Sequence, residues 1–137
     1  MKSRETLVRL KRFQVDEKRR RVAQIEAMIA EFERMAADLD REIASEEKKA
    51  GISDPANYAY PTFAKAARGR RDNLLNSAAE LRDQLEDART HLELAFEELK
   101  KVELLEDRNK AVERAELAVR DQAEMDRIGS RLAFARA

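Results

Sequence analysis

The sequence predicts an all-α protein, a two-helix antiparallel coiled-coil hairpin whose longer second helix overhangs the first at the terminal end. Apolar residues recur at alternating steps of three and four along most of the chain, which is the pattern of a coiled-coil seam. Charged residues make up 41% of the 137 residues and aromatic residues 5%, a composition typical of long helices. Both prolines, Pro55 and Pro61, lie in one short stretch, so we expect a single loop.

The first helix is predicted over about residues 3–49. A seven-residue step places an apolar side chain at every repeat of the seam, and Ile25, Phe32 and Leu39 occupy the companion positions. Gly51 follows as a helix stop signal. The seven-residue step comprises Val8, Val15, Val22, Ile29, Ala36, Ile43 and Ala50.

The loop is predicted over about residues 50–61 and the second helix over about residues 62–130, with Thr62 as its N-cap. Ten apolar positions form the second seam, and after the last of them the pattern jumps by three to Leu105, which predicts a local overwinding of the coiled coil. The ten positions are Ala67, Leu74, Ala78, Leu81, Leu85, Ala88, Leu92, Ala95, Leu99 and Val102.

A loop of this length requires the two helices to run antiparallel. Because the second helix is the longer one, folding back from the loop leaves roughly its last 25 residues without a partner inside the chain. We expect residues 110–128 to bind a partner and the chain to be disordered from about Gly129 onward. Residues 1–137 are predicted to form a single coiled-coil domain.

Charge is segregated along the chain, although the formal net charge is zero. Residues 1–21 carry nine basic and three acidic side chains, whereas residues 72–107 carry four basic and eleven acidic ones. The predicted pairing places the basic segment opposite Glu93–Asp107, so we expect ion pairs between them. The basic run Lys18–Arg21 also leaves contact with nucleic acid open as an alternative.

The residues that enzymes commonly use are scarce. The chain has no cysteine, one histidine (His91) and three scattered glycines, so a thiol nucleophile, a Ser/His/Asp triad and a glycine-rich phosphate loop find no support. We predict no enzyme activity, no cofactor and no metal site. Residues 1–21 lack the apolar run of a signal peptide, and no stretch approaches the ~20 apolar residues of a membrane span, which indicates a cytoplasmic protein without direct membrane insertion.

Basic and aromatic residues concentrate at the loop. Tyr58, Tyr60 and Phe63 could stack on nucleic acid, anchor a protein partner or cap the end of the seam. From the residues alone, a coiled-coil arm that binds nucleic acid and a structural coiled coil that homo-oligomerises through the overhang both remain as alternatives. The basic residues at the loop are Lys48, Lys49, Lys65, Arg68, Arg70 and Arg71.

Two segments resemble a known family. Leu10–Arg20 reads LKRFQVDEKRR, and Glu124–Arg131 reads EMDRIGSR. With the chain length, the single central loop and the lack of cysteine, they make the chain resemble the FliJ family of the bacterial flagellar type III export apparatus. The resemblance implies an antiparallel coiled coil similar to the central stalk of rotary ATPases, without catalysis of its own. A stalk of the related virulence secretion systems is a close variant.

The resemblance also implies partners at the cytoplasmic face of the flagellar basal body. The end that bears the termini would enter the pore of the hexameric export ATPase, FliI. The loop end would contact the membrane export gate protein FlhA, and export chaperones would bind as well. By position, the gate residues are Phe63, Ala67, Arg70 and Leu74, of which Phe63 fits the expected aromatic and Arg70 departs from the family pattern. The candidates for binding the ATPase ring are Arg9, Arg12, Phe13, Arg20, Val112, Val119 and Met125.

Overall fold

The structure, a computed structural model, describes residues 2–136. Two α-helices account for nearly all of them, α1 over Lys2–Ala50 and α2 over Thr62–Arg136. The predicted all-α class and the helical hairpin are confirmed. The expectation of disorder from Gly129 onward is wrong, because α2 continues through this glycine to Arg136. A single glycine costs a helix only about 1 kcal/mol relative to alanine, and good helix formers lie one turn or less away at Arg127, Arg131 and Leu132.

The chain forms two compact units. The loop unit comprises Val15–Leu94, and the terminal unit comprises the described residues up to Gln14 together with those from Ala95 onward. Each unit contains a segment of α1 and a segment of α2. The single domain assigned from the sequence stays a prediction.

In the loop unit the two helices pair antiparallel around an apolar cluster. Three ion pairs join them, and the partner moves back along α2 as the position in α1 advances: Glu26–Arg89, Glu33–Arg82 and Asp40–Arg71. In each pair at least one side chain is more than half exposed, so the pairs contribute little stability and the apolar cluster sets the pairing. The cluster comprises Val22, Ile25, Ile29, Leu81, Leu85 and Ala88, with Phe32 and Leu92 packed against it.

Burial follows the predicted seams closely. In α1 every seven-residue step from Val8 to Ile43 is buried, and only the last one, Ala50, is exposed. In α2, seven of the ten predicted seam residues are buried, and the other three are half-buried. The sequence pattern missed Ala64 and Tyr60, which are also buried. The small side chains of Ala64 and Ala67 leave little to separate the helices beside the loop.

The loop begins and ends with defined caps. Gly51 has a φ of 69° and its N–H donates to the carbonyl of Glu47 at 2.9 Å, the left-handed residue that commonly ends a helix. At the other end, the N–H of Lys65 donates to the carbonyl of Pro61 at 3.0 Å. Since the N-cap is the residue whose carbonyl accepts the first helical hydrogen bond, Pro61 is the N-cap and the assignment of Thr62 is wrong.

Two side chains shape the loop between these caps. A carboxylate oxygen of Asp54 accepts from the N–H of Ala56, and the amide oxygen of Asn57 accepts from the N–H of Ala59, both at 2.9 Å. These side-chain bonds two residues forward are Asx turns, which hold the backbone without help from distant residues. Hydrogen bonds between residues of the loop therefore define its backbone conformation.

In the terminal unit the seam of α2 continues without the predicted jump. Leu105 is exposed, whereas Glu106 is buried and Asn109 is half-buried. The buried and half-buried positions Leu99, Val102, Glu106 and Asn109 are therefore spaced by three, four and three residues. The helix keeps its buried face even where polar residues occupy it. Beyond Asn109 every described residue is exposed.

We predict that cysteines introduced at the pair Phe32→Cys and Leu81→Cys form a disulfide within one chain. Phe32 packs against the cluster that contains Leu81, and the natural chain has no cysteine to compete. Mass after oxidation, measured under non-reducing conditions, should remain that of a monomer. A matched control is Phe32→Cys with Asn76→Cys, since Asn76 is exposed. Dimers formed by the first pair would contradict an intramolecular hairpin.

Candidate functional site

The part of the chain that the structure describes contains neither a candidate metal site nor a helix that could span a membrane. No three acidic, histidine or cysteine side chains in it are grouped so that they could hold a metal ion. Neither helix, over its described residues, contains an apolar stretch long enough to cross a bilayer. What the described residues do present are exposed apolar side chains and grooves along the helix pair.

A groove runs between the helices of the loop unit, and we call it the loop-unit groove. Leu39 of α1 and Leu74 of α2 are half-buried, and Met35 and Arg70 are exposed beside them. The cation Arg70 and the anion Asp38 therefore flank an apolar surface. Such a surface suits an amphipathic peptide or helix. The lining residues are Met35, Asp38, Leu39, Arg70, Asn73, Leu74 and Ser77.

The four gate candidates do not share one environment. Arg70 and Leu74 line the loop-unit groove, and Phe63 is 47% exposed. Ala67 is 0% exposed, so its side chain packs against α1 and makes no surface contact. Sequence reasoning did not include Met35 in the site; its spacing of four before Leu39 is a signal that could have located it.

We predict that Ala67→Leu destabilises the protein, whereas Arg70→Ala does not. A larger side chain at the fully buried Ala67 overpacks the helix contact, which commonly costs about 1–3 kcal/mol. The melting temperature followed by circular dichroism should therefore fall by roughly 3–10 °C. Arg70→Ala, at an exposed position, should shift it by less than about 2 °C. Equal melting of Ala67→Leu and the natural protein would contradict the burial of Ala67.

The aromatic residues at the loop divide into two kinds. Tyr60 is 7% exposed and caps the end of the seam, whereas Tyr58 and Phe63 project into solvent. Of the basic residues nearby, Arg71 donates to the carboxylates of Asp40 and Asp72, each at 2.9 Å. The capping interpretation therefore holds for Tyr60, and the docking interpretation remains for Phe63.

The terminal unit carries an apolar strip on the outside of α1, formed by Leu7, Leu10 and Phe13. Their spacing of three keeps them on adjoining faces of the helix, and they are 41%, 49% and 52% exposed. Val8, between them in sequence, is buried in the seam. Phe13 was a ring-binding candidate from the sequence, and Leu7 and Leu10 extend it.

Two basic residues of the terminal unit pair with acids of α2, as expected from the charge pattern. Lys11 contacts Glu98 at 2.9 Å, and Arg12 lies 3.9 Å from Glu103. The hydrogen bond from Lys11 lowers the pKa of Glu98 below its usual 4.5. Arg9 is exposed.

The basic run in the loop unit behaves differently. Arg19 lies 3.8 Å from Asp16 in the preceding turn of the same helix. Lys18 and Arg21 line a groove that also contains Asp87. Arg20, a ring-binding candidate, is exposed. Ion pairing with Glu93–Asp107 is thus seen for Lys11 and Arg12.

The overhang, residues 110–136 of α2, exposes apolar side chains in more than one direction. Val112 and Val119 are seven residues apart, as are Met125 and Leu132, so each pair shares one face. At about 100° per residue, the two pairs point about 120° or more apart. The large exposed apolar residues of the overhang are Val112, Leu117, Val119, Met125, Ile128, Leu132 and Phe134.

Comparison with known proteins gives a match at the level of the family. The family model described as "Flagellar FliJ protein" matches residues 1–137. The matched range includes both helices and the loop between them. No curated protein and no solved structure gave a match.

Proposed function

Because the chain belongs to the flagellar FliJ family, we propose that it acts as a stalk or coupling component of the flagellar type III export apparatus, without enzyme activity or a cofactor of its own. The observation that carries the proposal is the overhang, a continuous helix whose exposed apolar residues point in more than one direction. A cytoplasmic protein at the base of the flagellum would use such surfaces to bind several partners, including export chaperones.

The terminal unit is proposed to bind the hexameric export ATPase. A helix with apolar residues on two sides gains most when its partner surrounds it, as the pore of a ring does. Phe13 on the apolar strip supplies an aromatic anchor, and Arg9 supplies an exposed cation. Arg20, in the loop unit, is proposed to contribute charge to the same partner. The remaining proposed contacts are Arg12, Val112, Val119 and Met125.

The loop unit is proposed to bind the export gate protein. Arg70 and Leu74 line the loop-unit groove, and Phe63 is an exposed aromatic at the start of α2. Aromatic and arginine side chains are enriched among the residues that dominate binding energy. Ala67 would act indirectly, since its buried side chain supports the helix contact beneath this surface.

We predict that changing Val112, Val119 and Met125 together to Asp abolishes ATPase binding without unfolding the chain. All three side chains are more than half exposed, so the helical circular dichroism should change little. Three buried apolar contacts would be replaced by desolvated charges, which should weaken binding at least a hundredfold. Titration calorimetry with the cognate export ATPase and the stimulation of ATP hydrolysis measure the effect.

The matched control adds the same number of charges to the overhang at Ala115, Gln122 and Ser130, all exposed positions. These residues are small or polar, so their change to Asp should cost much less binding. An equal loss for both triple variants would indicate that net charge, and not apolar contact, governs binding. Loss of helicity in the first variant would place the overhang in an intramolecular contact.

We predict that Phe63→Ala impairs binding to the gate protein while leaving ATPase stimulation nearly unchanged. An aromatic anchor at an interface commonly carries about 2 kcal/mol or more, roughly a thirtyfold loss of affinity. The melting temperature should be retained, since Phe63 is 47% exposed. Tyr58→Ala, at a fully exposed aromatic, is the control. Parallel loss of melting temperature, ATPase stimulation and gate binding would make Phe63 a structural residue.

A further inference from the structure

One acidic side chain is buried in the seam of the terminal unit. Glu106 is 6% exposed, and it is the only charged side chain that is buried among the described residues. Its oxygen Oε2 has no hydrogen-bond donor within reach in the part of the chain that the structure describes. The other oxygen, Oε1, lies 3.9 Å from Nζ of Lys110, too far for a hydrogen bond.

A carboxylate in this position works against the stability of the isolated chain. Removing a charge from water is unfavourable unless hydrogen bonds replace the lost hydration. The seven-residue step that Glu106 continues is occupied by Ala78, Leu85, Leu92 and Leu99 earlier in α2, and an apolar residue would fill it better. A charged residue at an apolar seam position, without hydrogen bonds that replace its lost hydration, is expected where the residue serves a function.

The surroundings of Glu106 indicate what would satisfy it. Glu106 lines a groove of the terminal unit whose apolar walls come from Leu7 of α1 and from Val102 and Leu105 of α2. Leu7 and Leu105 are 41% and 56% exposed, so the groove is open to solvent. Apolar walls beside a buried carboxylate oxygen that no donor reaches fit a side chain that has an apolar stem and a cationic head.

We propose that Glu106 is a socket for an arginine side chain of a protein partner, with the stem against Leu7, Val102 and Leu105 and the guanidinium on the carboxylate. Arginine fits better than lysine, because a guanidinium is weakly hydrated and binds a carboxylate through two donors. The inference rests on the proposed function in one respect: the partner is taken to be the export ATPase. Arg4 of this chain lines the same groove and is the competing occupant there. Glu106 also lines a second groove of the terminal unit, whose cations are Arg9, Arg12 and Lys110.

A titration that needs no partner tests the socket directly. N-acetyl-argininamide is added to the full chain labelled with ¹⁵N, and the amide signals of residues 102–109 are followed. We expect saturable shifts with a dissociation constant on the order of 1 mM, at least tenfold weaker binding to Glu106→Gln, and no saturable shifts with N-acetyl-norleucinamide, which lacks the guanidinium. Equal shifts in the natural chain and Glu106→Gln would overturn the proposal.

Binding to the cognate export ATPase supplies the second test. Glu106→Gln should weaken it at least tenfold, whereas Asp107→Asn, at the exposed neighbouring acid, should change it less than threefold. Glu106→Leu should melt at a higher temperature than the natural chain and yet bind more weakly. If both Glu106 variants melt lower and Arg4→Gln does too, Arg4 is the native occupant and the socket is refuted.

The two proposals fail in different ways. Undiminished ATPase binding by Glu106→Gln would refute the socket and leave the stalk function intact. Absence of ATPase binding by the natural chain would refute the ring contact, and the titration with N-acetyl-argininamide would still decide whether the groove accepts a guanidinium.

Discussion

The apolar seam between α1 and α2 is the interaction on which the rest of the structure depends. Each helix contributes a narrow strip of two positions in every seven residues, because the apolar positions recur in steps of three and four. The ion pairs that cross the helices of the loop unit are exposed and hold the pairing only weakly. A chain folded around so narrow a strip keeps most of its side chains at the surface, where they are accessible to partners.

The seam differs in composition between the two units. In the loop unit it contains large aliphatic residues such as Ile25, which is 1% exposed. In the terminal unit the buried apolar residues are Val8, Ala95 and Leu99. Fewer apolar contacts and a buried carboxylate mean that the terminal unit opens at lower free energy than the loop unit. Apart from Arg20, the residues proposed to bind the ATPase thus lie in the unit with the weaker pairing.

Much of the fold could be predicted because one signal, the apolar period, matches the period of the helix. The prediction followed apolarity to Leu105, whereas the helix keeps its face and buries Glu106. The N-cap was placed at Thr62 because side-chain preference cannot tell that the carbonyl of Pro61 accepts the first helical bond. Disorder from Gly129 onward is the expectation for a chain end without an intramolecular partner, whereas α2 continues to Arg136.

The candidate site was harder to predict than the fold, because a groove requires two helices placed side by side. Position in α2 alone grouped Ala67 with Leu74, although one is fully buried and the other lines the loop-unit groove. Met35 enters that groove from α1, and its spacing to Leu39 marks it as a lining residue only once α2 is placed beside them. The apolar period within one helix predicts which of its residues are buried. The shape of a groove between two helices depends in addition on how the helices are aligned with each other.

The pairing of charges decides which basic residues of the terminal unit remain available to a partner. The hydrogen bond from Lys11 lowers the pKa of Glu98 below 4.5. The stabilisation from this pair is therefore complete above pH 4.5 and is lost as the pH falls through the lowered pKa of Glu98. At neutral pH Lys11 is thus engaged within the chain. Arg9 is exposed and lines a groove that also contains Glu103 and Asp107, so a partner that binds Arg9 meets those carboxylates as well.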